Sequence, residues 1–444
     1  MTGTERKLRR DAKAIFARAL LAADAGYAVK SHLSLRRGVI RAGNTKLLLK
    51  HFDRVFLLAV GKASVTMAAT VETTLGARLT GGIVVTKHGH TTAKLKKLDI
   101  LEAGHPVPDE SGLAASTQVA HLLRQLSARD LLIVAVSGGA SALLPAPVEP
   151  ITLREKRQVT DLLLRAGATI HELNAVRKHI SFLKGGQLAA LAYPATVVSL
   201  LLSDVVGDCM DVIGSGPTAP DTSTFADALQ ILRHHRLESR VPERVLMRLE
   251  QGAVGLLPET PKPGDPLFQN VHNQIIGSNR LALKAAASQA KKLGYAPLIL
   301  SSTMQGETRE VARVHTEILR EARTSGASVC LLSGGETTVT VKGQGKGGRN
   351  QEFALAAAIA IDGLQDVLVL SAGTDGTDGP TDAAGAIALG DTVRRAKAAG
   401  LDAYRHLQDN NAYPFFDALG DLIKTGPTGT NVMDIHLLLT GRKS

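Results

Sequence analysis

The chain has 444 residues, of which 44% are hydrophobic and only 3% aromatic, with no Trp and a formal net charge of +11. That length suggests two domains with sizeable cores, and the composition makes those cores aliphatic. No apolar run approaches the ~20 residues of a membrane-spanning helix, and the N-terminus has no signal-peptide core. The charge permits nucleic-acid binding, but aromatic-studded basic stretches are missing. An anionic small substrate would use the same positive field. Cys209 and Cys330 are the two cysteines; they give no disulfide framework and fit a reducing cytoplasm.

Taken in order, residues 5–29 read as a helix. Leu8, Ala12, Ile15 and Ala19 line one face at helical spacing. Arg6, Lys7, Arg9 and Arg10 suggest a transit peptide, but Glu5, Asp11 and Asp24 argue against one, leaving a basic surface helix. A pattern then repeats: an apolar run of strand length, a small polar turn, a helix-like stretch. Val55 to Val60 ends on Gly61-Lys62-Ala63-Ser64, Ile83 to Val85 on Thr86-Lys87-His88, and Leu131 to Val136 on Ser137-Gly138-Gly139-Ala140-Ser141. Val197 to Leu202 ends on Ser203-Asp204, Pro297 to Leu300 on Ser301-Ser302, and Val367 to Leu370 on Ser371-Ala372-Gly373. Ile435 to Leu439 reads as a final strand. Near-continuous apolar strands separated by helices predict an α/β fold with parallel sheets covered on both faces. Ligands then bind beyond the carboxyl ends of the strands, where these turns fall. Pro242, Pro258, Pro261, Pro263 and Pro266 crowd residues 241–268, which places a domain boundary there and gives domains of 1–265 and 266–444.

The most informative stretch is Cys330 to Ala360. The apolar run Val329 to Leu332 stops at Ser333-Gly334-Gly335-Glu336, and Thr337 to Val341 alternate as a strand should. Gly343, Gly345, Gly347 and Gly348 surround Lys346, Arg349 follows, and Phe353 to Ala360 is strongly helix-forming. A helix opening on glycines and cations is built to receive an anion at its unpaired N–H groups. The same loop satisfies G-x-G-x-x-G, but the next strand, Asp366 to Leu370, ends on Ser371 rather than on an acidic residue. That disfavours a nicotinamide site.

Two Ser-Gly-Gly turns, at 137–139 and 333–335, present N–H donors suited to phosphate or carboxylate oxygens. Asp204, Asp208 and Asp211 form one acidic group, and Asp375, Asp378 and Asp382 a second. Gly-interrupted carboxylates suit Mg²⁺ held together with substrate phosphates, and one carboxylate could deprotonate an attacking hydroxyl. Lys62 sits at a strand tip without the G-x-x-x-x-G-K-[ST] pattern. His88, His90 and His105 read as satisfied turn histidines. The sum is a kit for phosphoryl transfer to a small acid.

These motifs, in this order, resemble the class II glycerate 2-kinases: Ala59 to Ala63, Gly104 to Asp109, Ser137 to Ser141, Ser203 to Asp208, Gly214 to Pro217, Gly277 to Arg280, Ser333 to Glu336, Gly347 to Glu352 and the Gly373 to Gly385 loop. The C-terminal half resembles that family's MOFRL domain. The resemblance implies a Rossmann-like N-terminal domain, a smaller α/β C-terminal domain and an active site in the cleft. It also implies phosphorylation of D-glycerate to 2-phosphoglycerate with ATP and Mg²⁺ or another divalent cation. Lys62 and Arg349 match the family's functional lysine and arginine, and Asp204 joins them as a catalytic candidate. Ser137, Gly138, Gly139, Ser141, Asn279, Ser333, Gly334, Gly335, Glu336, Gly347 and Gly348 are expected to bind substrate or phosphate, and Asp204, Asp208 and Asp375 the metal. The alternative is an NAD(P)H-dependent hydroxypyruvate reductase. The expected partners are small molecules, without nucleic acid or membrane; a homodimer is left open.

Overall fold

A computed structural model describes residues 3–324 and 326–441. They separate into two compact units, each with its own sheet.

One unit holds residues 28–203 and 208–276. Its six-stranded sheet runs, in spatial order, Leu98–Ala103, Gly81–Lys87, Arg54–Val60, Asp130–Val136, Thr196–Leu202 and Val271–Gly277. The first five strands pair in parallel. Asp130–Val136 is buried along its whole length, as expected where helices cover both faces of a parallel sheet. Register fixes the functional end: Val60 lies opposite Val136, so the turns beginning at Gly61 and Ser137 emerge side by side. A separate antiparallel meander precedes this sheet, made of Leu33–Arg36, Val39–Ala42 and Thr45–Leu48.

The proline-rich stretch is not a linker. Glu243–Ala253 is a helix whose Val245 and Leu249 are buried in a cluster with Val159, Leu163, Val176, Phe225 and Leu232. Further on, Thr260 donates to buried Asp221 at 2.9 Å, and the Asp221 N–H donates to Pro261 O at 2.9 Å. The prolines lie in a packed segment that continues into the edge strand Val271–Gly277, so this unit extends to Ile276, beyond the boundary expected at 265.

The second unit holds the described residues up to Tyr27, residues 204–207, and those from Gly277 onward. Its sheet is mixed, in the order Ala296–Met304, Val329–Gly335, Asp434–Thr440, Val367–Gly373, Gly385–Leu389 and Leu422–Ile423. The first pair is parallel and the rest antiparallel. The N-terminal helix, Gly3–Ala23, belongs here. It buries Leu8, Ala12, Ile15 and Ala19, the face read from the sequence. Its charged residues are also engaged: Asp11 takes Lys7 at 2.6 Å and the Tyr295 hydroxyl at 3.0 Å, and Arg9 pairs with Asp421 at 2.5 Å. It is a docked helix, not a basic surface one. Asp24 ends it, its carboxylate accepting the Tyr27 N–H of the next helix at 2.7 Å.

Candidate active site

In the first unit the strand-tip turns at 61 and 137 are knitted together. The Lys62 N–H donates to Gly138 O at 2.9 Å and the Ala63 N–H to Ser137 Oγ at 3.1 Å. Gly61, at φ +128°, leaves no room for a Cβ against Ser137. Gly139, at φ +90°, turns the chain into a short helix, Ala140–Leu143. The N–H groups of Gly138, Gly139, Ala140 and Ser141 make no hydrogen bond among the described residues. Successive free N–H groups in such a turn form an anion-binding nest. Lys62 stands at it: a methyl group on Gly139 would lie 3.4 Å from Lys62 Cε and 2.9 Å from His105 Cδ2. Lys62 is exposed.

Supports lie beneath this turn. Ser141 Oγ is 2.9 Å from Ser215 Oγ, which donates to Asn174 Oδ1 at 2.9 Å. The buried Lys184 ammonium donates to Ser141 O at 2.9 Å and Leu144 O at 3.1 Å, and burial, with Arg177 beside it, brings its pKa down to about 7. His105, read from the sequence as a satisfied turn histidine, lies against the Gly139 turn. Burial first, then Lys62, Lys87 and His90, hold its imidazole below the ordinary pKa. It is therefore a neutral histidine among cations. Only its motif context, Gly104 to Asp109, could have flagged it.

In the second unit Arg349 opens the helix Arg349–Ala360. Its Nε and Nη2 grip Asp434 at 2.5 and 3.1 Å, and its Nη1 lies 3.1 Å from Glu336. Burial works against the guanidinium charge, but Asp434, then Glu336 and Asp378, more than restore it, so its pKa lies above the ordinary value. Asn350 Nδ2 reaches Asp434 at 2.8 Å and Asp378 at 3.3 Å, and Asn350 Oδ1 accepts from Ser371 Oγ, which sits 2.8 Å from His436 Nδ1. Asp434, which the sequence reading passed over, is the hub. It lies one residue ahead of the predicted final strand, where a carboxylate reads as a loop residue.

Two expectations for this unit fail. The glycine loop from Gly343 does not cradle phosphate along its length. The N–H groups of Lys342 and Gly343 go to Asn410 Oδ1, that of Gln344 to Asp409 Oδ1, that of Gly345 to Asp409 O and that of Lys346 to Asn411 Oδ1. Its glycines allow close contact: a Cβ on Gly343 or Gly345 would overlap the backbone of Asp409, and one on Gly348 the Asp378 carboxyl. Asp378 also supplies the anion at the helix N-terminus, accepting the N–H groups of Asn350 and Gln351 at 3.0 and 2.8 Å. Only the N–H groups of Gly347, Gly348 and Arg349 stay uncommitted among the described residues.

The second Ser-Gly-Gly is not a turn either. Ser333 to Gly335 end an interior strand flanked by Ala296–Met304 and Asp434–Thr440, so its donors belong to the ladder. Ser333 Oγ meets His315 Nε2 at 2.7 Å, and both are buried. Buried Asn279 gives its amide to Val432 O and Asp434 O, at 2.9 and 2.8 Å. Thr337 to Val341 is not a strand; only Thr338 forms an isolated bridge, to Glu307. Glu336 remains exposed beside Arg349.

The expected metal carboxylates are divided between the two units. Among the described residues no three of Asp204, Asp208 and Asp375 with their neighbours gather as ligands; the one such group is Glu172, His234 and His235. Asp208 lies in the first unit, Asp204 and Asp375 in the second. Asp375 uses one carboxylate oxygen on the Thr377 N–H at 3.0 Å and keeps the other. Asp211 is taken by buried Lys178 at 3.1 Å. A single carboxylate with a spare oxygen, as at Asp375, fits Mg²⁺, which binds through one or two carboxylates plus phosphates.

An N–H nest at a lysine on a parallel sheet, and an arginine fixed at a helix N-terminus, define the class: an α/β enzyme that handles small anions. Residues 11–250 match a domain of unknown function, DUF4147, and residues 329–434 match the MOFRL family. The chain is 43% identical over 399 residues to a D-glycerate 2-kinase of Thermotoga maritima, spanning 89% of this chain and 93% of that one. It is 40% identical to a protein of Agrobacterium vitis provisionally named as a hydroxypyruvate reductase, over 99% and 96% of the two chains. A crystal structure of glycerate kinase from Thermotoga maritima superposes with a TM-score of 0.88 at 41% identity, over 98% and 100% of the chains. The chain belongs to the glycerate kinase family whose C-terminal part is a MOFRL domain.

Proposed function

We propose that the protein phosphorylates D-glycerate to 2-phosphoglycerate with ATP. The observation that carries this reading is the nest of free N–H groups at 138–141 beside Lys62. Preorganised donors and a point charge stabilise a phosphoryl group as its charge redistributes. Arg349, with the free N–H groups of Gly347 and Gly348, takes a second anionic group. Its fork is fixed by Asp434 and Glu336, so it is oriented before ligand arrives. Asp204, Asp208 and Asp375 are the carboxylates we assign to a divalent cation, which when bound neutralises phosphate charge. Asp204 and neutral His105 are the candidates to accept the proton of the 2-hydroxyl. Cys209 and Cys330 are free thiols, which suits a reducing cytoplasm. No helix among the described residues is long and apolar enough to cross a membrane.

The reductase alternative needs a pyrophosphate cradle at 343–348, whose N–H groups are mostly spent on Asp409 to Asn411. One experiment separates the two: purified protein with D-glycerate, ATP and Mg²⁺, against hydroxypyruvate with NADH or NADPH. ADP release that requires glycerate, with phosphate found on carbon 2, supports the kinase. Oxidation of reduced cofactor without ADP release overturns it.

A further inference from the structure

The small meander before the main sheet carries charge that the kinase reading does not use. Residues 25–50 contain Lys30, Arg36, Arg37, Arg41, Lys46 and Lys50 and no Asp or Glu. The strands sort them by face. Leu33, Ile40 and Ala42 are buried on one side. On the other, register puts Ser34 opposite Arg41 and Arg41 opposite Lys46, with Arg36 two residues along the first strand. Arg41 and Lys46 are thus a like-charged cross-strand pair, an arrangement that destabilises a sheet unless something offsets it. No carboxylate does: Lys30, Arg36, Arg41 and Lys46 form no ion pair among the described residues, although many other surface cations do.

These side chains line a cleft of about 600 Å³, with Lys30, His32, Ser34, Arg36, Arg41 and Lys46 in its wall and no acidic residue. That volume lies within the roughly 300–1,000 Å³ range of small-molecule sites. Two of its walls are held in place. The Arg41 Nε–H donates to Gly43 O at 3.2 Å, and the His32 Nδ1–H to Ala28 O at 2.9 Å, which leaves Nε2 as the acceptor of that ring.

We propose that this cleft binds a small polyanion carrying two or more phosphate groups, at a site separate from the Lys62 turn. Arg36 and Arg41 supply planar forks suited to phosphate oxygens, Lys46 and Lys30 point charges. The limited volume and the single-face placement favour a compact metabolite over a nucleic-acid strand or a lipid surface. Binding removes the Arg41–Lys46 repulsion, so occupancy stabilises the fold by linkage.

The test is calorimetry and thermal melting of the full chain with inorganic tripolyphosphate, for wild type and for R36A/R41A/K46A. Because the kinase site also accepts phosphates, the readout is stoichiometry. Wild type should take up one equivalent more than the triple variant, with an affinity that falls at higher salt because exposed charges are screened. Lys46→Gln alone should weaken that extra equivalent about tenfold, the scale of one charge-assisted contact. It should also melt no lower than wild type without ligand, because it removes a repulsion. Glycerate-dependent ADP release should be unchanged in both variants. Equal stoichiometry and affinity in wild type and K46Q would overturn the proposal. So would loss, in the same variants, of binding to phosphatidylserine vesicles or to a short RNA when tripolyphosphate itself leaves no extra equivalent.

Discussion

Ser137-Gly138-Gly139 and Ser333-Gly334-Gly335 are the same tripeptide at the end of the same kind of apolar strand, and they do opposite work. At 137 the strand has ended, Gly139 takes φ +90°, and the N–H groups of residues 138–141 are left free beside Lys62. At 333 the strand runs on for three residues because both neighbours run on with it, Met304 opposite Gly335 on one side and Asp434 on the other. The glycines there let chains approach: a Cβ on Gly334 would overlap the Asn279 amide, and one on Gly335 the Met304 backbone. The same Ser-Gly-Gly thus keeps free N–H donors only where the sheet around it has stopped. In the second unit the cation we assign to an anionic group is Arg349, whose charge is held by Asp434 from the strand alongside.

The largest effects should come from the two cations, and they should differ in kind. Lys62→Ala removes an exposed ammonium that has no ion-pair partner among the described residues, so kcat should fall about 10²-fold or more, the scale of one lost transition-state contact, at unchanged melting temperature. Arg349→Ala should lose similar turnover and also stability, because Asp434 stays buried without its cation. Breaking a buried pair costs on the order of 3 kcal/mol, and less here because the guanidinium keeps 34% of its side-chain surface exposed. Adding Asp434→Asn to Arg349→Ala should restore melting but not turnover. Arg349→Lys should rescue neither well, since a point charge cannot hold both oxygens of Asp434. A double variant with restored turnover would remove Arg349 from the chemistry.

Next come the glycines, where the comparison is most easily broken. Gly335→Ala should cost on the order of 3 kcal/mol or more, a strain-class substitution, because the new methyl meets backbone that cannot move without parting two strands. Gly139→Ala should cost about 1–2 kcal/mol of left-handed strain but damage activity more, since its methyl pushes on His105 and touches Lys62. Denaturant midpoints and steady-state kinetics on the pair decide this. Should Gly335→Ala fold normally and lose only turnover, the two turns are equivalent after all.

How much of this was legible follows from which residues answer to local pattern. The strands at Val55, Leu131, Val197, Val329, Val367 and Ile435 were readable because burial on both faces demands continuous apolar runs. Leu98–Ala103 and Gly385–Leu389 were missed; the first is broken by Asp99 and Glu102, three residues apart and so on opposite faces, and the second is short and alanine-rich. The strand-tip positions of Lys62 and of the 137–141 turn were legible because they follow directly on continuous apolar runs. The role of Asp378 as the anion at the Arg349 helix was not, since the match of a carboxylate with a helix start 28 residues away is made by the fold. The same holds for Asp409 to Asn411, which consume donors that the glycine pattern alone offers to phosphate.

A smaller contrast separates the two serines. Ser137 Oγ joins two turns through the Ala63 N–H, so Ser137→Ala should cost about 1 kcal/mol and raise KM by loosening the nest. Ser333 Oγ partners His315, whose imidazole burial already keeps below its ordinary pKa. Ser333→Ala should cost a similar amount and leave kcat and KM alone. A kinetic defect in Ser333→Ala with none in Ser137→Ala would reverse the assignment of the turns.

The smallest effect is a titration. Asp378 is buried, and that burial lifts its carboxyl to about 6 against the pull of the Gln351 and Asn350 N–H groups, with Asp434 adding to the rise. A carboxyl with a raised folded-state pKa binds its proton more tightly in the native state than in the unfolded chain. Its stabilising contribution is therefore complete below the unfolded value near 3.8 and is lost as pH rises through about 6. From pH 8 down to pH 6 the gain is on the order of 0.4 kcal/mol, RT ln 2 for a group half-protonated at the end point. Urea midpoints of wild type and Asp378→Asn across that range isolate it, because other titrating groups cancel in the difference. The wild type should gain on the variant as pH falls, and more steeply below pH 6. A difference that stays flat, or that shrinks toward acid, would mean that Asp378 is held fully charged by the helix it caps, and that the Arg349 end of the molecule carries one more fixed negative charge than its burial allows.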